Sequence, residues 1–170
     1  DITRAMKGYA YSGEQVSLVN LNECIESTVK MVWNELKYNC TIEKSLDANI
    51  PPIECIGGQI DQVLLNIIMN AAHAVNKGDG LIKISSSFDD KNVFVDIEDN
   101  GYGIKEEHLK QIFTPFFTTK EVGEGTGLGM SICYDIIKNH GGDITVESKL
   151  GKGTTFRLTL PIDNSNKEPE

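Results

Sequence analysis

Residues 99–130 read DNGYGIKEEHLKQIFTPFFTTKEVGEGTGLGM, and the rest of the chain is arranged around this stretch. It contains two glycine clusters, at 99–103 and at 125–129. The first cluster follows an alternating apolar run, which predicts a strand, and the second precedes a run with helical apolar spacing. The predicted order is therefore a strand, a glycine turn, a loop, a second glycine turn and the start of a helix.

This order suits a nucleotide. Glycines let the backbone approach a ligand closely, and the free N–H groups at a helix start attract phosphate. Asp99, at a strand end, can accept a hydrogen bond from an exocyclic amine such as that of adenine, and the loop between the clusters is long enough to act as a lid. The alternative is that both clusters are plain turns, since Asp-Asn-Gly is common in turns. Two such clusters together favour the nucleotide, because neither is a simple hairpin.

The composition is that of one globular domain with a real core, in 170 residues. A formal net charge of −9 argues against nucleic acid or an anionic membrane as the main partner. The first residue is not Met, and residues 1–12 look like the end of a helix, so we expect a piece of a longer protein. The four cysteines form no metal-binding pattern and are interpreted as small buried hydrophobes in a reduced, cytoplasmic setting: Cys24, Cys40, Cys55 and Cys133.

Hydrophobic periodicity predicts the element order β-α-β-α-β-β-lid-α-β-β. Three long helices against about five strands indicate an α+β fold, a two-layer α/β sandwich whose mixed sheet is covered on one face. Residues 51–52 are expected to end an extended linker, 106–112 to form a short helix at most, and His140 to be a surface residue at a helix end. The predicted helices start at 21 and span 59–76 and 130–139, and the predicted strands span 16–19, 40–46, 81–88, 92–98, 144–147 and 155–160.

The predicted helix at 59–76 carries a polar stripe of unusual chemistry. At 100° per residue, Asn66, Asn70 and His73 fall with two glutamines within about 80° of arc, opposite an apolar face. Asparagine is a poor helix former, whereas its carbonyl oxygen is a hard ligand that suits Mg²⁺ beside phosphates. The alternatives left open are a plain solvent face for the stripe, and a capping or solvated role for His73 in place of a phosphate contact.

With these features the chain resembles the ATP-binding catalytic domain of sensor histidine kinases, of the nitrogen-regulatory type. That domain belongs to a wider superfamily with the gyrase, mismatch-repair and heat-shock-chaperone ATPases. The resemblance covers residues 16–161 and rests on motifs in family order: QVLLNIIMNA at 62–71, DNGYGI at 99–104, FTPFFTTK at 113–120, GTGLGM at 125–130, HGG at 140–142 and GTTF at 153–156.

The resemblance implies a Bergerat-type fold with an ATP lid, and ATP and Mg²⁺ as cofactors. Asp99 would bind the adenine amine, Asn66 and Asn70 would hold Mg²⁺, and Lys120 would reach the terminal phosphates. Asn66 and Lys120 are thus the expected catalytic residues. The expected nucleotide-binding residues are Asn70, His73, Asp99, Gly101, Gly103, Ile104, Phe113, Thr118, Thr119, Gly125, Thr126, Gly127, Leu128, Gly129 and Thr154.

One position distinguishes the branches of this superfamily. ATP-hydrolysing relatives generally carry a glutamate base where this chain has Asn66, so the resemblance implies a kinase that passes phosphate to a histidine. No histidine precedes His73, so the acceptor is expected on a dimerisation domain outside this chain. The competing hypotheses are a serine kinase of the anti-sigma type and a non-catalytic nucleotide-sensing module.

The same resemblance predicts the organisation of the whole protein. Residues 1–15 would end the preceding dimerisation helix and linker, 16–162 would form the catalytic domain, and 163–170 a disordered polar tail. The expected partners are the protein's own phosphoacceptor domain, a response regulator receiver domain and a second copy of the full-length chain. The fragment is expected to be cytoplasmic without direct membrane contact, as the cytoplasmic part of a membrane-anchored sensor if the whole protein is anchored.

Overall fold

A mixed five-stranded sheet with its helices on one face forms the frame of the molecule. The computed structural model describes residues 15–118 and 129–163. The elements in chain order are β1 (Ser17–Val19), α1 (Leu21–Leu36), β2 (Cys40–Leu46), β3 (Ile53–Cys55), α2 (Gly57–Ala74), β4 (Gly80–Phe88), β5 (Asn92–Asp99), α3 (Glu106–Leu109), α4 (Gly129–Asn139), β6 (Asp143–Lys149) and β7 (Gly153–Pro161).

The main sheet has the strand order β2-β4-β5-β7-β6. Only the β2–β4 pair is parallel, and the other three pairs are antiparallel, as the predicted hairpins require. In the register of the last three strands, Thr154 of β7 lies opposite Asp99 on one side and opposite Ser148 on the other. Cross-strand neighbours of this kind have their side chains in contact range, so these three residues form a row at one end of the sheet.

A second, two-stranded sheet was missed by the sequence prediction. Residues 53–55, expected to follow an extended linker, form β3, which pairs antiparallel with β1. Ile53 and Cys55 are buried, with Glu54 exposed between them. A strand of three residues is too short for its alternation to be separated from that of a loop.

All three long predicted helices are present, with small shifts at their ends. Asn20 caps α1, because its side chain accepts a hydrogen bond of 2.9 Å from the Asn22 N–H. Helix α2 begins at Gly57, two residues before the predicted start, and ends at Ala74, where Val75 turns to an extended ψ of 153°. Gly57 and Gly58, which lie before the predicted start, are therefore part of its first turn.

His140 corrects the expectation of a surface histidine. Its side chain is only 6% exposed. The ring Nε2 accepts a 3.0 Å hydrogen bond from the Ile56 N–H, and Nδ1 lies 2.7 Å from the Ile136 carbonyl oxygen. Ile56 is the N-cap of α2 and gives the helix no side-chain cap. The histidine thus ties the end of α4 to the start of α2, a long-range contact that the sequence pattern does not encode.

The core lies between the helices and one face of the sheet, with the apolar faces of α1, α2 and α4 buried against alternate residues of the strands. All four cysteines are buried, as predicted. Burial raises the pKa of the Cys133 thiol to about 12, so it stays neutral. Among the described residues, no helix is both long and apolar enough to cross a membrane.

Candidate functional site

A cavity of about 530 Å³ opens between α2, the turn after β5, the β6–β7 turn and the start of α4. This volume is in the range of small-molecule sites, which run from about 300 to 1,000 Å³. The predicted site residues that line it are Asn70, His73, Asp99, Gly103, Ile104, Thr118, Gly129 and Thr154.

Asp99 is the only carboxylate among the described residues of this lining. It is 6% exposed, and its Oδ1 accepts a 2.8 Å hydrogen bond from the Gly101 N–H. The Thr154 N–H also donates to the carboxylate. Burial dominates over these donors and raises the pKa of Asp99 above its ordinary value. A buried acceptor of this kind suits a ligand that brings its own N–H donor.

The glycine turn at 99–103 is held from two sides. On one side, the Tyr102 N–H donates to the carbonyl oxygen of Ala74, at the end of α2, over 3.1 Å. A Cβ on Gly101 would lie 2.4 Å from that same oxygen, so a side chain there does not fit. Asn100 fixes the start of the turn to β4. Its Oδ1 accepts a hydrogen bond from the Leu81 N–H, and its Nδ2 donates to the Asp79 carbonyl oxygen. Asn100 is therefore a structural residue of the turn.

On the other side the β6–β7 turn packs on the glycine turn. The Gly151 N–H donates to the Tyr102 carbonyl oxygen over 2.7 Å. Gly103 has a φ of +74°, and a Cβ there would lie 2.2 Å from the Lys149 carbonyl oxygen. Only glycine combines this left-handed backbone with such a close approach. The shape of the turn beneath the cavity therefore depends on a hairpin about fifty residues further along the chain.

The two asparagines of α2 both contact sulfur atoms of α4. Asn66 Nδ2 lies 3.6 Å from Cys133 Sγ, and Asn70 Nδ2 lies 3.1 Å from Met130 Sδ. Each amide nitrogen thus has a partner, and the carbonyl oxygen is the atom that remains for a ligand. Among the described residues, no group of three or more His, Cys, Asp or Glu side chains could hold a metal ion.

Three predicted site residues lie behind the cavity wall instead of in it. Asn66 is one turn before Asn70, with its Oδ1 3.9 Å from the position of a Cβ on Gly129, which does line the cavity. Gly101 is buried against the end of α2. Phe113 packs against the core, its ring centroid 5.4 Å from that of Tyr134. The remaining predicted residues lie outside the described part of the chain: Thr119, Lys120, Gly125, Thr126, Gly127 and Leu128.

The lining also includes residues that the sequence reasoning did not select. They come from the end of α2, from the segment 102–117 around the short helix α3, from the start of α4, from the β6–β7 turn and from β7. Tyr102, Phe117, Met130 and Phe156 lie within the quoted motifs, although they were not selected as site residues. Most of the others lie in runs that also fit ordinary core positions, so no pattern separates those. The unselected residues are Ala71, Ala74, Tyr102, Lys105, His108, Ile112, Phe117, Met130, Leu150 and Phe156.

Comparison with known proteins matches the family model "Histidine kinase-, DNA gyrase B-, and HSP90-like ATPase" to residues 57–164. Sensor histidine kinase ZraS of Escherichia coli strain K12 is 38% identical over 154 residues, which are 89% of this chain and 32% of ZraS. The chain thus spans a third or less of the length of the curated relatives that it matches.

Solved structures agree with this result. The catalytic domain of histidine kinase ThkA superposes with a TM-score of 0.78 at 35% identity, over 87% of this chain and 98% of that domain. Histidine kinase ThkA in complex with response regulator protein TrrA matches with a TM-score of 0.77 at 30% identity, over 98% of this chain and 48% of that one. The chain therefore belongs to the histidine kinase-, DNA gyrase B- and HSP90-like ATPase family, and within it is the ATP-binding catalytic domain of a sensor histidine kinase.

Proposed function

We propose that this chain binds ATP in the cavity beside Asp99 and supplies its γ-phosphate to a histidine on a dimerisation domain of the same protein. The observation that carries the proposal is Asp99 itself, a carboxylate that is 6% exposed and held by the N–H groups of Gly101 and Thr154. With those donors in place it accepts the adenine amine, and the glycine turn lets the ring approach. The whole protein then forms a homodimer that signals in the cytoplasm.

Asn70, which lines the cavity, and Asn66, whose Oδ1 lies 3.9 Å from the Cβ position of the lining residue Gly129, are the proposed ligands of Mg²⁺. Their carbonyl oxygens are hard donors, and the contacts of their amide nitrogens with Cys133 and Met130 fix how each side chain is turned. Mg²⁺ keeps several waters and is commonly held by few protein groups together with substrate phosphates. When bound, the ion neutralises phosphate charge, and the asparagines and the amide of Gly129 orient the phosphate chain.

The chemistry of the lining favours transfer to another protein group over hydrolysis. Hydrolysis needs a general base beside the attacking water. The only carboxylate among the described lining residues is Asp99, which binds the adenine ring in this proposal. Lys120, outside the described residues, is proposed to reach the terminal phosphates, with the glycines at 125–129 beside them. The product of transfer is phosphohistidine, which a response regulator receiver domain then accepts.

The proposal is tested with the full-length protein and ATP labelled at the γ-phosphate. A histidine kinase gives a protein label that is stable in alkali and lost in acid, and Asp99→Asn abolishes it. A serine kinase gives an acid-stable label on a separate partner, and a nucleotide-sensing module gives no label while still binding ATP. Either of the last two results would contradict the proposed transfer.

A further inference from the structure

Ser148 lies outside the motifs that identify the family, yet its hydroxyl group is at the centre of three hydrogen bonds. The Ile104 N–H donates to Ser148 Oγ over 2.8 Å. Ser148 Oγ also lies 2.9 Å from the Gly153 carbonyl oxygen and 2.8 Å from Thr154 Oγ1. One side chain thus connects the glycine turn after β5 with both residues at the start of β7.

Counting protons fixes the direction of each of these bonds. A serine hydroxyl has one proton and two lone pairs. The Gly153 carbonyl oxygen has no hydrogen, so Ser148 must donate to it. One lone pair of Ser148 Oγ accepts from the Ile104 N–H. The second lone pair faces Thr154 and, like the first, can only accept a hydrogen bond. The Thr154 hydroxyl therefore donates its single proton to Ser148.

This assignment decides what Thr154 offers to a ligand. Thr154 lines the cavity and lies opposite Asp99 in the sheet register. Its hydroxyl proton is committed to Ser148, so its oxygen brings lone pairs only. Asp99, with a carboxylate that already accepts from two backbone N–H groups, is also an acceptor. Two acceptors side by side match a ligand group with two N–H donors, and they repel a carbonyl oxygen.

We propose that Ser148 is a positioning residue that holds Thr154 as an acceptor, so that the cavity selects a purine with a 6-amino group over one with a 6-carbonyl group. This inference rests on the proposed function, in which Asp99 receives the amine of the base. It adds a specificity role for a residue that does not itself line the cavity.

The test compares binding of ADP and inosine diphosphate, which differ at the 6-position of the base, by calorimetric titration of the 170-residue chain. In Ser148→Ala the Thr154 hydroxyl is released and can donate to a 6-carbonyl oxygen. The ratio of dissociation constants, that of inosine diphosphate divided by that of ADP, is expected to fall about threefold to tenfold. This is the range of one hydrogen bond. The exposed Ser87 of β4 provides the control, because Ser87→Ala is expected to leave the ratio unchanged.

A Thr154→Val background separates positioning from general loosening of the turn. Loosening that displaces Asp99 lowers the ratio whether or not residue 154 carries a hydroxyl group. In a Thr154→Val background, which lacks the hydroxyl, Ser148→Ala is expected to have no effect on the ratio. If Ser148→Ala does not fold, Ser148→Cys, a weaker donor and acceptor, is measured in its place and is expected to lower the ratio in the same direction.

The possible outcomes distinguish the two proposals. Wild-type binding of ADP with a lowered ratio in the Ser148 variant supports both. Wild-type binding with an unchanged ratio overturns the role of Ser148 and leaves the ATP site intact. No saturable binding of ADP to folded wild-type protein overturns the proposed nucleotide site, and the role of Ser148 with it.

Discussion

Gly153 packs directly on Asp99: a Cβ built on Gly153 would lie 1.9 Å from the Asp99 carbonyl oxygen. The backbone at Gly153 also has a φ of +125°, which side chains rarely adopt. Residue 153 thus sets the distance between β7 and the end of β5, and with it the position of the carboxylate that we assign to adenine. The hairpin turn before β7 is a structural part of the site.

We predict that Gly153→Ala destabilises the protein and weakens ADP binding. Gly151→Ala is the matched control, since Gly151 has a φ of +80° but nothing within 4 Å of its Cβ position. The control should lose about 1–2 kcal/mol from its unfavourable backbone, and Gly153→Ala about 1–3 kcal/mol more from the clash. Urea unfolding measures both, and equal losses in the two variants would contradict the close packing on Asp99.

ADP affinity should fall on acidification through the raised pKa of Asp99. The ionised carboxylate accepts the amine, so affinity is constant above that pKa and falls below it, by up to about tenfold per pH unit for one proton. Burial raises the pKa of Asp99, so the fall begins at a higher pH than for an ordinary aspartate. Calorimetric titrations with ADP from about pH 7.5 downward test this pH dependence. If the affinity of Asp99→Asn falls in the same way, the pH dependence belongs to another group.

The effect of Asp99 on folding has the opposite sign. Because the folded state holds the proton more tightly than the unfolded state, the Asp99 contribution to stability is greatest below its unfolded pKa and is lost as pH rises through the folded pKa. Acidification therefore weakens the nucleotide site in the same range in which it relieves the buried charge. The two trends can be separated by measuring unfolding and binding on the same samples.

His140→Ala should lower the free energy of unfolding by about 1–3 kcal/mol. The substitution leaves the half-buried Ile56 N–H without its acceptor and removes the hydrogen bonds that connect α4 to α2. His108→Ala is the control, since that ring is half-buried and makes no comparable bond to backbone in the described structure. Thermal or urea unfolding of both variants measures the difference. A similar, small loss of unfolding free energy in each variant would show that the hydrogen bonds of His140 contribute little.

Lys120→Ala should slow phosphotransfer more than it weakens ADP binding. If Lys120 contacts the terminal phosphate, its charge acts mainly where that phosphate is transferred, and losing such a group costs on the order of 10²-fold or more in rate. ADP lacks the terminal phosphate, so its affinity should change little. Phosphohistidine formation in the full-length protein and ADP titration give the two values, with Lys91→Ala on an exposed turn as the control. Equal effects on rate and affinity would contradict the assignment.

Local sequence signals predicted most of the frame. The three long helices and the five main strands follow from apolar periodicity. Asp99 was selected as a candidate because it is a carboxylate at the end of a strand and before a glycine turn. These features depend on neighbouring residues, so a linear pattern can carry them.

The features that sequence reasoning missed depend on distant contacts. His140 is buried because it meets Ile56, 84 residues away in the chain. Ser148 accepts a hydrogen bond from the Ile104 N–H, which lies 44 residues before it. A serine in an alternating strand has no local feature that distinguishes a solvent-facing hydroxyl from one that orients a neighbour. Strand β3 was missed for a different reason, because three residues give too short an alternation.

The central claim is that Asp99 binds the base of an adenine nucleotide, and calorimetric titration tests it most directly. Wild-type chain and Asp99→Asn are titrated with ADP, with and without Mg²⁺, and their unfolding is measured in parallel. The account predicts saturable, Mg²⁺-sensitive binding to the wild type, weakened at least about tenfold in Asp99→Asn. The variant should stay folded, because the introduced amide keeps a carbonyl oxygen that can accept from the Gly101 N–H, and loss of the Thr154 N–H bond costs no more than about 3 kcal/mol. Unchanged affinity in folded Asp99→Asn would contradict the claim.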